Sequence, residues 1–305
     1  MSAPSTLSAA TTRRDLEAAL ADELGSPSEA RWLTEEVLGP SRRPGQAGPA
    51  LSAAALSTLA DLAARRRAGE PLQYVLGHWA FRTLELDVDP RVLIPRPETE
   101  QLVDVALGVL AEVAGERPDP LVVDLGTGSG AIALAVAVEA LPERPQLRVW
   151  AGDVSPGALA VAERNRELVG ARHPGAAERV VLRSGDWWRA LPEGLRGRVD
   201  LGLANPPYVA VDEWDALDRE VRREPRLALV AETASDGTPG MAAVEAVVAG
   251  AVDWLAPGGA LVVELAPDQA GPASALARRA GFAAVDVRPD LAGRPRVLVA
   301  RRSPT

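Results

Sequence analysis

Asn205-Pro206-Pro207-Tyr208 follows directly on Val199–Ala204, an apolar run that reads as a buried strand. Proline has no N–H and a fixed φ, so Pro206 and Pro207 cannot prolong that strand. The four residues form a stiff loop at a strand's carboxyl end, with carbonyls held in fixed directions and in need of partners. The Asn205 side-chain oxygen and the Pro206 carbonyl are two acceptors. Together they can take both N–H bonds of a planar NH2 group. Such a nitrogen is a poor nucleophile because its lone pair is delocalised. Accepting from both hydrogens pushes electron density back onto nitrogen and aims it. Removing one preorganised acceptor typically costs about 3 kcal/mol of barrier, and in-line positioning supplies much of the rest. The Tyr208 ring can pack on the flat group. A proline-stiffened turn with no role is the plain alternative.

A second constellation lies upstream, where the run Leu121–Leu125 turns into a helix: Asp124-Leu125-Gly126-Thr127-Gly128-Ser129-Gly130. Glycines allow positive φ and remove the Cβ atoms that would block a ligand. The helix start beyond them offers unpaired N–H groups. The loop lacks the Gly-Lys-Ser/Thr ending of a phosphate loop. Its glycines read G-x-G-x-G rather than the G-x-G-x-x-G of a dinucleotide site. It resembles the S-adenosylmethionine loop of class I methyltransferases, which packs against the methionine part and the sugar. A tight strand-to-helix turn without a ligand has the same glycines. Asp153, at the end of Arg148–Gly152, can accept from ribose hydroxyls, a device common to both nucleoside cofactor classes. It can equally be an acid at a helix start, with Ser155 as the cap. After the third strand, Ser184-Gly185-Asp186-Trp187-Trp188 offers an acid for an adenine amine and a ring for the base. The tryptophans suit a core or lid equally well, and Trp187 is the better adenine candidate.

These groups need elements to hold them. Residues 1–11 are small and polar and are expected to be disordered. Thr12 and Asp15 predict a capping box opening a helix to about Leu24. Further helices are expected over Ser28–Leu38 and Ser52–Arg67, separated by a Gly- and Pro-punctuated loop at 39–49. Arg65-Arg66-Arg67 reads as a solvated helix end favoured by the helix dipole rather than a nucleic-acid contact. Phe81–Val88 alternates with period two and predicts one strand; a helix follows over Pro97–Val113. Strands are expected at Leu121–Leu125, Arg148–Gly152, Arg179–Leu182, Val199–Ala204, Ala260–Leu265, Ala283–Val287 and Val297–Ala300, with helices between most of them. That alternation predicts an open, largely parallel sheet covered on both faces, which binds ligands at the strands' carboxyl ends. The expected domains are 1–85, helical, and 86–305, catalytic, with a junction near 85–95.

With 47% hydrophobic residues over 305 positions, the chain can bury a core without staples. The absence of cysteine excludes thiol nucleophiles, disulfides and zinc–thiolate sites. Only His78 and His173 could serve a histidine site, and neither lies in a motif. No apolar run reaches membrane-span length, and no secretory signal is apparent, so a cytoplasmic enzyme is expected. The net charge of −9, with arginine as the sole basic type, argues against binding nucleic acid by neutralising phosphates.

Further motifs narrow the choice. Leu93-Ile94-Pro95-Arg96-Pro97-Glu98-Thr99-Glu100, and Pro71–Gly77 with Phe81, resemble the peptide chain release factor glutamine methyltransferases, the PrmC/HemK family. So do Glu224-Pro225, Ala228-Leu229, Pro257-Gly258-Gly259, Glu264, Gln269 and Asp290–Arg294 with Arg296. The resemblance covers about 70–301. It implies a Rossmann-like class I S-adenosylmethionine-dependent methyltransferase fold with a mostly parallel seven-stranded sheet, and a small helical N-terminal domain that helps dock the release factor. It implies N5 methylation of the glutamine in a Gly-Gly-Gln loop. By position, Gly126, Thr127, Gly128, Ser129, Gly130, Asp153, Asp186, Trp187 and Asn205 would contact the cofactor; Asn205, Pro206, Pro207 and Tyr208 would hold the glutamine. The chain departs from the family pattern at 231–240, where the turn looks longer, at Ala266 in place of glycine, and at Arg82 in place of an aromatic.

Other readings remain at this point. A ribosomal-protein glutamine methyltransferase shares Asn-Pro-Pro-Tyr but matches Ile94–Glu100 less well. A nucleic-acid adenine-N6 or cytosine-N4 methyltransferase faces the same planar nitrogen but needs base flipping and a basic surface. A nicotinamide-dependent oxidoreductase explains the glycine loop and Asp153 but not Asn205–Tyr208. A binding module without catalysis has no need of that loop.

Overall fold

The computed structural model describes residues 12–40 and 51–305. The disorder expected for 1–11 and most of the loop expected at 39–49 lie outside those residues. The chain forms two compact units: one ends at Gly77 and takes in Arg219–Arg223, the other comprises His78–Asp218 and Glu224–Thr305.

The first unit holds helices α1 (Arg13–Leu24), α2 (Pro27–Leu38), α3 (Ala53–Arg67) and α4 (Leu72–Leu76). The capping box forms: Thr12 Oγ1 accepts from Asp15 N at 3.2 Å, and Asp15 accepts from Thr12 N at 3.0 Å. Ser26 and Ser52 cap α2 and α3, their hydroxyls accepting from Glu29 N and Ala55 N without a reciprocal bond. Leu16, Leu20, Leu33, Leu59 and Leu72 meet in its core. The arginine run is not simply solvated. Arg65 pairs with Glu70, Arg66 with Glu29 and Glu220, and Arg67 with Glu23. Acids placed for each cation turn a dipole-favoured helix end into an ion-pair network.

The second unit opens with a hairpin of β1 (His78–Phe81) and β2 (Leu84–Asp87), where one continuous strand was expected. The period-two pattern runs on across a two-residue turn that carries no Gly or Asn. Arg82 takes the left-handed conformation there, φ 54°. Its N–H donates to Glu100 at 3.0 Å and its guanidinium pairs with Glu139 and Asp104. The departure at Arg82 thus has a local structural role.

Then follow α5 (Pro97–Ala114), β3 (Leu121–Leu125), α6 (Ala131–Ala140), β4 (Arg148–Asp153), α7 (Pro156–Arg172), β5 (Val180–Ser184), β6 (Val199–Ala204), β7 (Val209–Ala210), α8 (Arg226–Leu229), β8 (Val230–Ala231), α9 (Ala242–Trp254), β9 (Leu255–Glu264), α10 (Ala270–Arg279), β10 (Ala284–Pro289) and β11 (Pro295–Arg301). Seven strands make one sheet in the order β10-β11-β9-β6-β3-β4-β5, with β11 alone antiparallel to its neighbours. Separate cores lie on the two faces. One joins α5 and α6 to the sheet through residues such as Leu102, Leu134, Val122 and Leu201; the other joins α9 and α10 through Val247, Ala273, Val123 and Leu261. Every residue of β6 is buried, as a central parallel strand requires. Strand β9 starts earlier than the expected Ala260. Its Pro257-Gly258-Gly259 stretch makes a bulge against β6, where a Cβ on Gly259 would come within 2.9 Å of Val199 O.

Candidate active site

β3 is the first strand of the sheet in sequence and lies in its interior. β4 lies to one side of it and β6 to the other, so the strand order reverses there. The register pairs Leu125 with both Gly152 and Ala204, which levels the three strand ends. The loops beyond them therefore face one crevice, the usual ligand position of an open α/β sheet. A cavity of about 500 Å3 opens there, lined among others by Gly126, Gly128, Asp153, Asp186, Trp187 and Asn205.

Within that wall, Gly126 and Gly128 both have positive φ, 75° and 56°. Asp153 Oδ2 accepts from Gly128 N at 2.9 Å and Oδ1 from Ser155 N at 2.8 Å. The acid thus fixes the glycine loop and the start of α7 while lining the cavity. Ser155 caps α7. Trp187 has φ 47°, a strained conformation for a bulky residue and one that clusters at functional sites. It lets the ring lie over Gly126, where a Cβ would approach Trp187 Cζ3 to 3.2 Å. Trp188 turns the other way, into the core, and donates to Val247 O at 2.8 Å. The two tryptophans divide between cavity and core.

Thr127, Ser129 and Gly130 hold the loop from behind. Thr127 Oγ1 donates to Asp124 Oδ2 at 2.6 Å, the Ser129 carbonyl accepts from Asn165 at 2.9 Å, and Gly130 caps α6. Pro207 lines the cavity and Pro206 is buried. Tyr208 lines a neighbouring cavity with Ala266 and Gln269. Its N–H donates to Leu229 O at 3.2 Å. Gln269 Nε2 donates to both Tyr208 O, at 3.3 Å, and Gly240 O, at 3.1 Å. Asn205 Nδ2 donates to Thr99 Oγ1 at 3.1 Å, and the Thr99 hydroxyl works against the burial that raises the Glu264 carboxyl. Glu224 accepts from Ile94 N at 2.9 Å and pairs with Arg96, tying the Leu93–Arg96 segment to the stretch before α8. Thr99, Glu264 and Gln269 stood in the sequence only as parts of a familiar pattern. Nothing in their spacing showed that they converge behind Asn205–Tyr208. Leu93, Leu227 and Ala228 of the cavity wall were equally silent, because apolar lining looks like core.

Burial governs the charges. It pushes the Asp124 and Glu264 carboxyls up to about 7, and it raises Asp153 and Glu224 as well. Hydrogen bonds, and for Glu224 and Glu264 nearby arginines, oppose the shift without cancelling it. The folded chain therefore holds protons that the unfolded chain releases at ordinary carboxylate pKa values, about 4. The stability these groups contribute is complete below that value and is lost as pH rises through about 7. Thermal unfolding followed by circular dichroism is expected to show a midpoint that falls between about pH 5 and pH 8. A midpoint that climbs over that window would contradict the assignment.

The seven-stranded, mostly parallel sheet with helices on its faces is a fold shared with methyltransferases. A methyltransferase from Pyrococcus furiosus superposes with a TM-score of 0.50 at 18% identity, covering 79% of this chain and 99% of that one, a likeness of fold alone. The model of the PrmC N-terminal domain matches residues 11–77. A release factor glutamine methyltransferase of Burkholderia pseudomallei is 44% identical over 87% of this chain and 88% of its own length. One of Bordetella pertussis is 43% identical over 91% and 97%. The chain belongs to the release factor glutamine methyltransferase family. That membership sets aside the oxidoreductase and binding-module readings. Among the described residues, no helix is long and apolar enough to cross a membrane.

Proposed function

We propose that this chain transfers the methyl group of S-adenosylmethionine to the side-chain amide nitrogen, N5, of a protein glutamine, the one in the Gly-Gly-Gln loop of peptide chain release factors. The observation that carries the reading is Asn205 on the wall of a glycine-lined cavity, its amide nitrogen already bound from behind by Thr99. Family relatives named for this activity support the substrate.

The cavity suits the cofactor. Its volume, about 500 Å3, lies within the roughly 300–1,000 Å3 of small-molecule sites. Gly126 and Gly128 leave the wall free of side chains, and Asp153 has lone pairs left for ribose hydroxyls. Asp186 would accept from the adenine amine, with Trp187 packing on the base. Thr127, Ser129 and Gly130 would keep the loop in shape. When bound, S-adenosylmethionine supplies an electrophilic methyl group on a positively charged sulfur. Asn205 Oδ1 and the Pro206 carbonyl would accept the two N–H bonds of the substrate amide and aim its nitrogen. Pro207 keeps the loop stiff, and the Tyr208 ring would pack on the amide plane. The substrate nitrogen would take that methyl group, and the methylated amide would give up one N–H proton to solvent. The helical unit would help to dock the release factor, and such a substrate puts the enzyme in the cytoplasm.

Transfer of labelled methyl from S-adenosylmethionine tests this. Purified release factor is compared with its Gly-Gly-Gln→Gly-Gly-Ala variant and with duplex DNA. Label is expected on the factor alone and absent from the alanine variant. Label on DNA, or on the alanine variant, would overturn the substrate assignment.

A further inference from the structure

The side chain of Asn205 has two ends of similar shape, an oxygen that accepts and an NH2 that donates. Only one orientation serves catalysis, because a donor aimed at the substrate NH2 would repel it. The amide itself does not decide. The decision falls to whatever binds it from behind.

Thr99 lies there. It stands in the first turn of α5, two residues after Pro97, and is 4% exposed. Its hydroxyl has one hydrogen to give and lone pairs to accept with. Glu264, 1% exposed, ends β9. The register pairs Ala204 with Val263, so Asn205 and Glu264 each stand one residue past the same rung of the sheet. Thr99 accepts from Asn205 Nδ2 at 3.1 Å, and its hydroxyl favours the ionised form of the Glu264 carboxyl. Burial pushes the Glu264 carboxyl up to about 7 and the Thr99 hydroxyl opposes that shift; once ionised, the carboxylate can only accept, and it then commits the threonine hydrogen. The threonine oxygen then faces Asn205 as an acceptor and selects its NH2 end. Glu264 Oε2 is buried with no hydrogen-bond partner. A carboxyl left half-satisfied in a core is costly to stability, and such groups call for a functional explanation.

We infer that Thr99 and Glu264 are positioning residues for methyl transfer: Glu264 holds the Thr99 hydroxyl as a donor, Thr99 accepts from Asn205, and the Asn205 oxygen is thereby turned toward the substrate amide. The inference rests on Asn205 being an acceptor in the reaction. Both partners sit on rigid elements, the start of α5 and the end of β9, so the orientation is built before substrate arrives. Their effect belongs in kcat rather than in cofactor binding, since neither residue lines the cofactor cavity.

The test measures kcat, KM and S-adenosylmethionine affinity with purified release factor for Thr99→Val, Thr99→Ser and Asn205→Ala. Thr99→Val keeps shape and removes the hydroxyl. It is expected to lower kcat by about tenfold or more, as the loss of one orienting hydrogen bond would, with cofactor affinity within about twofold of the parent. Thr99→Ser restores the hydroxyl and should return kcat to within about threefold. Thr99→Ala gives the same reading with less bulk if the valine does not fold. An unchanged kcat in Thr99→Val, beside a disabled Asn205→Ala, would overturn the relay alone. Equal losses in Thr99→Ser and Thr99→Val would also overturn it, because packing rather than the hydroxyl would then matter. An active Asn205→Ala would instead overturn the acceptor reading on which the relay stands.

Discussion

Asn205→Ala is expected to lower kcat for methyl transfer by about a hundred- to a thousandfold, the usual loss on removing one preorganised group from a transition-state site. The reason is the nucleophile. An amide nitrogen shares its lone pair with its carbonyl, and Asn205 Oδ1 would accept one N–H and help to localise that pair. Alanine leaves the Pro206 carbonyl as one acceptor where two are wanted. The Asn205 amide nitrogen is engaged by Thr99 at 3.1 Å, so the oxygen is the end available to the cavity. S-adenosylmethionine affinity should hold within about threefold, because the glycine loop and Asp153 stand on other strands. Single-turnover kinetics beside a cofactor titration reads both quantities. Near-parental turnover with normal cofactor binding would refute the acceptor role.

Gly240→Ala should produce the second large effect, and it does so through the backbone. Gly240 has φ 68°, where an alanine is strained, and its new Cβ would lie 2.6 Å from the Tyr208 carbonyl oxygen and 3.3 Å from Ala210 N. Those atoms cannot yield cheaply. Gln269 holds both the Tyr208 and Gly240 carbonyls, and Val209 pairs with Val230 in the small β7–β8 sheet. The methyl would push the Asn205–Tyr208 loop out of place. A displacement near one ångström costs about a hundredfold in rate. Gly237→Ala is the control, with φ 87° and nothing within 4 Å of the new Cβ. It should lose stability by about 1–3 kcal/mol from backbone strain alone and keep its kcat. The two variants compared by thermal unfolding and by turnover separate strain from displacement. Equal kcat in both would show that contact with Tyr208 does not position the loop.

The 231–240 segment also illustrates what the sequence could and could not tell. It read as a lengthened turn, yet its last residue is a glycine required by contact with Tyr208, a contact across 32 positions that no local pattern reveals. Strands β3 and β6 were legible to the residue because buried parallel strands are mostly apolar, each broken here by a single aspartate, Asp124 and Asp200. The Thr12–Asp15 box was legible because capping is local. The β1–β2 hairpin was not, since Arg82 adopts positive φ without the glycine or asparagine that normally signals it, held there by acids from α5 and α6. The cavity residues Gly126, Gly128, Asp153, Asp186, Trp187 and Asn205 were all named from strand ends, and the sheet register brings them onto one wall. Thr99 and Glu264 were hidden because their meaning is purely tertiary.

The most direct measurement is fragmentation mass spectrometry of release factor after incubation with the enzyme and S-adenosylmethionine. The account predicts one added methyl group on the side chain of the Gly-Gly-Gln glutamine, released as methylamine on acid hydrolysis, which identifies the amide nitrogen as its carrier. A methyl group on a carboxylate, on an arginine or on the peptide backbone, or no methyl group at all, would contradict it.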